Sequence, residues 1–152
     1  MDLTARLDAM EAAIKKPSFR QSSGKANEVN YWIFDYPPEK ELEVRERIEY
    51  MKNKNLKGND EYQLVVFDLY DIIIDFLERK NFVEKCCDFE KKRGFGRIVK
   101  AVSNSMKVSE NDSLIVRYIQ ENTPENAIVF LTGVGKSYPL LRSHNVLNLS
   151  LI

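Results

Sequence analysis

A chain of 152 residues is long enough to enclose a hydrophobic core, and 43% hydrophobic with 30% charged residues is ordinary for a globular protein. Lysine plus arginine and aspartate plus glutamate each total 23, so the formal charge is zero and no global field draws the chain to nucleic acid or to a membrane surface. The first residues are not the apolar core of a signal peptide, and no apolar run approaches the ~20 residues that span a bilayer. The cysteines, Cys86 and Cys87, are adjacent, a spacing that resists mutual bridging. These features predict a cytoplasmic protein with reduced thiols.

Along the chain, Leu3, Leu7, Met10 and Ile14 recur at steps of three and four, which predicts a helix over 2–16 that Pro17 stops. Gln21 to Lys25 has loop composition. Tyr31–Tyr36 is short, aromatic and β-branched and is closed by Pro37 and Pro38, which predicts a first strand. A surface helix over 39–54, carrying Leu42, Val44, Ile48 and Met51 among many charges, starts at the prolines. After a polar turn, Tyr62–Asp68 is a second strand whose continuous apolar run suits burial on both faces.

A helical excursion follows over 69–122. Its first stretch, 69–90, is predicted as two pieces with Ile72, Ile73, Phe76, Leu77, Phe82 and Val83 inward, and Gly94 and Gly96 interrupt it. Amphipathic stretches near 97–107 and 111–121 complete it. A turn over 123–126 leads to a third strand, Ala127–Thr132, then a glycine turn and a last helix over 138–147. This order predicts one α/β domain over 1–152: three layers, with a mainly parallel sheet of about three strands flanked by helices.

Parallel pairing would bring the strand ends to one edge, where open α/β sheets bind ligands. Asp35, Tyr36, Asp68, Thr132, Tyr138 and His144 are therefore candidates for a strand-end or partner-binding rim. Two readings of the aspartates stay open: caps on the following helices, or a ligand, metal or partner role. The segment Gly133-Val-Gly135-Lys136-Ser137 ends like a phosphate-binding P-loop, but Phe130 holds the place of the first glycine. A working nucleoside triphosphatase is not expected. A partial anion site of Gly133, Gly135, Lys136, Ser137 and Arg142 remains, because strand-turn-helix layouts present free N–H groups at the helix start.

Other chemistry finds little support. Ser143 and His144 lack a G-x-S-x-G elbow, and Cys86, Cys87 and His144 are too few and badly spaced for a metal, so neither catalytic residues nor cofactors are expected. Lys91, Lys92, Arg93, Arg97 and Lys100 form a basic cluster that reads as a solvated helix face, and a neutral chain argues against direct nucleic-acid binding. Self-association is left open.

The chain resembles the BrxB family of BREX (bacteriophage exclusion) defence clusters. The resemblance is carried by Pro17-Ser-Phe19, by Asn30 to Tyr36 with its trailing prolines, by Glu41 to Arg45 and by Phe67 to Ile72. It is carried above all by Phe130-Leu-Thr-Gly-Val-Gly-Lys136 running into Pro139-Leu-Leu-Arg-Ser-His144. It implies membership of a multi-protein phage-resistance system with a large AAA+ ATPase, an adenine methyltransferase and an alkaline-phosphatase-like protein. It further implies that the BrxB member is an assembly component without assigned catalysis that contacts the phosphatase-like or ATPase subunit. Family members are expected to continue into a further strand, whereas this sequence stops at Ile152, so a C-terminal truncation is one expectation.

Overall fold

The computed structural model describes residues 2–20, 32–58, 60–79, 82–106 and 114–137. The chain forms two compact units, residues 1–65 with 124–129, and residues 66–123 with 130–152.

In the first unit, helix α1 (Leu3–Lys15) begins where Asp2 Oδ1 accepts the Ala5 N–H at 2.7 Å, a side-chain N-cap. It buries Leu7 and Ile14 and ends at Lys16. Pro17 then opens the short helix α2 (Pro17–Arg20), a position where its missing N–H costs nothing. A 3-10 turn at Pro38–Lys40 leads into α3 (Glu41–Leu56), which buries Val44 and Met51. Arg47 of α3 donates to Asp8 at 2.7 Å and Glu11 at 3.1 Å of α1. Near the end of α3, the Asn55 amide group acts like a neighbouring strand: Nδ2 donates to the Tyr62 carbonyl at 2.7 Å while Oδ1 accepts the Leu64 N–H at 2.8 Å.

Residues 32–37 correct an expectation. They form no strand, and among the described residues the sheet has two strands rather than about three; Tyr31 lies outside the described residues. Pro37 and Pro38 cannot donate to a ladder, and the side chains here serve other contacts. Arg6 donates to Asp35 at 2.8 Å and sits 4.8 Å from the Phe34 ring centre, while Trp32 stacks on Phe19 at 5.6 Å. Aromatic and β-branched composition signals a strand only when a partner edge is present, so it misleads here.

Strands β1 (Gln63–Asp68) and β2 (Ala127–Thr132) are neighbours in one parallel sheet. Mixed helix and strand composition thus holds as expected, with helix predominant.

The second unit carries the helical excursion: α4 (Leu69–Arg79), α5 (Phe82–Arg93), α6 (Phe95–Met106) and α7 (Leu114–Glu121), with the single turn α8 (Val134–Ser137) after β2. Its core includes Leu69, Ile72, Ile73 and Leu77 of α4, Ile98 and Val102 of α6, and Ile115, Val116 and Ile119 of α7. Each such side chain contributes roughly 1.5–3 kcal/mol by leaving water. Tyr118 meets Phe67 and Phe76 edge-on at 6.0 and 5.9 Å, the geometry that aromatic quadrupoles favour. Gly94, at φ +83°, ends α5 in the left-handed conformation that side chains resist. At the end of α7, Asn122 Nδ2 and Thr123 Oγ1 donate to the carbonyls of Tyr118 and Ile119, the first of which also accepts the Asn122 N–H. The predicted last helix over 138–147 lies outside the described residues, as do the loop over 21–25 and the side chains of Phe82 and Val83.

Candidate functional site

Both strands of a parallel sheet end on the same edge, and in the second unit that edge holds Asp68 and the Gly133 turn. Asp68 follows the last apolar residue of β1 and precedes α4. Its Oδ1 accepts the N–H groups of Tyr70 at 2.9 Å and Asp71 at 3.2 Å, so the carboxylate caps α4. Gly133 leaves β2 at φ +72°. A Cβ placed on it would fall inside the contact envelope of Asp68 Oδ1, 2.9 Å from Asp68 Cγ and 3.2 Å from the Tyr70 nitrogen. Glycine is thus required here twice, by its dihedral and by the close approach of the capping carboxylate.

The turn beyond it is closed on itself. The Ser137 N–H and Oγ both donate to the Gly133 carbonyl, at 3.0 and 2.8 Å, and Ser137 is fully buried. α8 packs against α4. Gly135 and Lys136 face solvent, Thr132 is half-buried, and a Cβ on Gly135 would meet open space. The P-loop-like ending therefore sits in a single helical turn whose serine hydroxyl is engaged with the main chain and whose first glycine lies against a carboxylate.

Asp35 belongs to the first unit, at no strand end, paired with Arg6. Tyr36 is half-buried, and its hydroxyl donates to Glu41 at 2.6 Å; burial first, then the bond to Glu41 and its negative charge, push the phenol pKa up to about 12. These contacts latch the 32–37 segment onto α1 and α3. Tyr138, Arg142 and His144 fall outside the described residues. Among the described residues no group of three or more His, Cys, Asp or Glu side chains could hold a metal ion, and no helix is long and apolar enough to cross a membrane.

Sequence reasoning missed two features of the first unit. One is a set of large apolar side chains facing solvent: Trp32 is 74% exposed, Ile33 87%, Leu42 64% and Leu56 76%. A helical wheel would have found part of this, because Leu42 and Leu56 lie within ~40° of each other and opposite the buried Val44 and Met51. The other is Arg6, whose contacts with Phe34 and Asp35 leave no trace in sequence spacing.

Fold and turn together define a small α/β protein whose described strand-end rim is capped and closed by its own groups. Comparison with known proteins gives it a family. The model of the family described as "BREX protein BrxB" matches residues 65–150. A BREX protein BrxB of Bacillus cereus (strain H3081.97) is 40% identical over 146 residues, covering 96% of this chain and 76% of that protein. Another, from Escherichia coli O9:H4 (strain HS), is 29% identical over 146 residues, covering 96% of this chain and 70% of that protein. No solved structure matches. The chain belongs to the BrxB family and so is a component of a BREX phage-defence system; the family description names no enzymatic activity.

Proposed function

We propose that this chain is a non-enzymatic subunit that bridges other components of the BREX machinery, its partners being the alkaline-phosphatase-like protein and the AAA+ ATPase that the family resemblance implies. The observation that carries the reading is the exposed apolar set of the first unit: Trp32 and Ile33 in adjacent positions, and Leu42 and Leu56 on the outer face of α3. Solvent-facing aromatic and aliphatic groups of this size are costly to a lone protein and are the residues from which binding energy is drawn. At the strand-end turn, by contrast, Asp68 and Ser137 are engaged in main-chain hydrogen bonds, which supports a structural role for them.

The test is binding of the purified chain to each purified partner. Trp32→Ala combined with Leu42→Ser is expected to weaken the complex by tenfold or more, the range of a loss of about 1.4 kcal/mol or above. No complex with either partner, or turnover by the isolated chain, refutes the reading.

A second reading places a phosphate or nucleotide at Gly133–Ser137. The exposed Lys136 on the turn favours it, and the engaged Ser137 hydroxyl weighs against it. Calorimetric titration with ATP, GTP and cyclic nucleotides decides: heat that disappears in Lys136→Ala establishes that site, and no heat removes it.

A further inference from the structure

The stretch from Lys91 to Ser109 contains Lys91, Lys92, Arg93, Arg97, Lys100 and Lys107 and not one aspartate or glutamate. A chain of zero net charge hides this, because a sum over the whole sequence erases a local excess. The structure shows what becomes of it. α5 ends in Lys91, Lys92 and Arg93, Gly94 turns the chain at φ +83°, and α6 starts at once and packs back against α5. α6 buries Ile98 and Val102, so Arg97 and Lys100, on other sides of the helix, face solvent. Lys91, Lys92 and Arg93 are exposed as well. The corner therefore gathers five cations from two helices.

None of the five makes an ion pair among the described residues, in contrast to α3, where Arg45, Arg47, Lys52 and Lys54 each have a carboxylate partner. Gly94 and Gly96 add no side chain over the turn, and a Cβ on either would meet open space. The N–H groups at the start of α6 add positive potential there.

The partner must be anionic, and its kind follows from the density of cations. Among the described side chains, the exposed large apolar residues, Trp32, Ile33, Leu42, Tyr50 and Leu56, all belong to the first unit. Protein interfaces draw their affinity from such anchors. Five cations on two adjoining helices, with no ion-pair partner among the described residues, suit a partner bound through its phosphates, where cations supply the attraction by releasing condensed counterions. We propose that the α5–α6 corner, through Lys91, Lys92, Arg93, Arg97 and Lys100, binds the phosphate backbone of duplex nucleic acid without reading its sequence. This is independent of the bridging role, which rests on the other unit.

The experiment is fluorescence anisotropy of a labelled DNA duplex of arbitrary sequence with the full chain. With all five cations on phosphates, affinity falls ~500-fold between 50 and 200 mM salt, from a slope of about −0.9 per phosphate contacted. Replacing all five with glutamine is expected to abolish binding at 50 mM salt, and Lys91→Arg, Lys92→Arg and Lys100→Arg together to preserve it. Circular dichroism checks that the variants fold. Should the fivefold variant not fold, the single Arg97→Gln variant is expected to shorten the salt slope by about one contact. No binding at 50 mM salt, a salt-independent affinity, or unchanged binding in the glutamine variants overturns the proposal. Displacement of the duplex by polyglutamate at equal charge concentration also overturns it, assigning the corner to an acidic protein surface.

Discussion

Replacing Gly133 with alanine probes the strand-end turn directly. The residue sits at φ +72°, and the new methyl group would press on the Asp68 carboxylate, 2.9 Å from its Cγ, with the Tyr70 nitrogen at 3.2 Å. The left-handed conformation costs an alanine about 1–2 kcal/mol. Moving the carboxylate aside removes some or all of the cap on α4, worth about 1 kcal/mol. Against this, alanine restricts the unfolded chain and returns about 0.4–1 kcal/mol. The net expectation is a loss of about 2 kcal/mol, measured by urea unfolding followed by circular dichroism, with an unchanged denaturant slope. The contact with Asp68 makes a sharper forecast. Asp68→Ala alone loses the cap, but in combination with Gly133→Ala it also removes the obstructing oxygen, so the double variant should be more stable than the sum of the two losses by 0.5 kcal/mol or more. A Gly133→Ala protein within about 0.5 kcal/mol of wild type, or strict additivity in the cycle, would refute the reasoning.

The Tyr36 hydroxyl bond to Glu41 should be visible in spectrophotometric titration, with one phenol ionising near pH 12 and falling only part of the way towards the ordinary tyrosine range in Glu41→Gln, since burial remains. Because the folded state holds this proton more tightly than the unfolded chain, the contribution is complete below about pH 10 and disappears as pH rises towards 12; Tyr36→Phe should abolish that alkaline dependence. Asn55→Leu removes the Asn55 bonds to the Leu64 N–H and the Tyr62 carbonyl and should cost about 2 kcal/mol in urea unfolding. Asn55→Asp keeps the acceptor for Leu64 but turns charge towards the Tyr62 carbonyl and Asp60, so its deficit at neutral pH should shrink on acidification. Ser137→Ala should cost at most about 1 kcal/mol, because the Ser137 N–H still satisfies the Gly133 carbonyl; a larger loss would show that the hydroxyl does more than close the turn.

Local patterns were legible wherever the decisive partners lie close in sequence. The period of Leu7 and Ile14 marks α1, the break at Gly94 separates α5 from α6, and the apolar runs ending at Asp68 and Thr132 mark the two strands. The capping reading of Asp68 was also available, since a cap engages N–H groups only two and three residues ahead. Family membership was readable from the order of the motifs, because the matching segments spread across most of the chain. Residues 32–37 show where such reading stops. A strand exists only if another edge pairs with it, and nothing in Trp32 to Tyr36 states that Arg6, far away in sequence, will engage Phe34 and Asp35 instead. Asp35 thus stands at no strand end, although its sequence position suggested one.

Identity and most element boundaries follow from spacing and residue type, since helix periodicity, caps and breakers act over a few residues. The need for glycine at 133, the closing of its turn by Ser137 and the exposure of Trp32 and Leu42 arise only when separate elements pack. Contact and burial are properties of neighbours in space, and the folded chain alone chooses them.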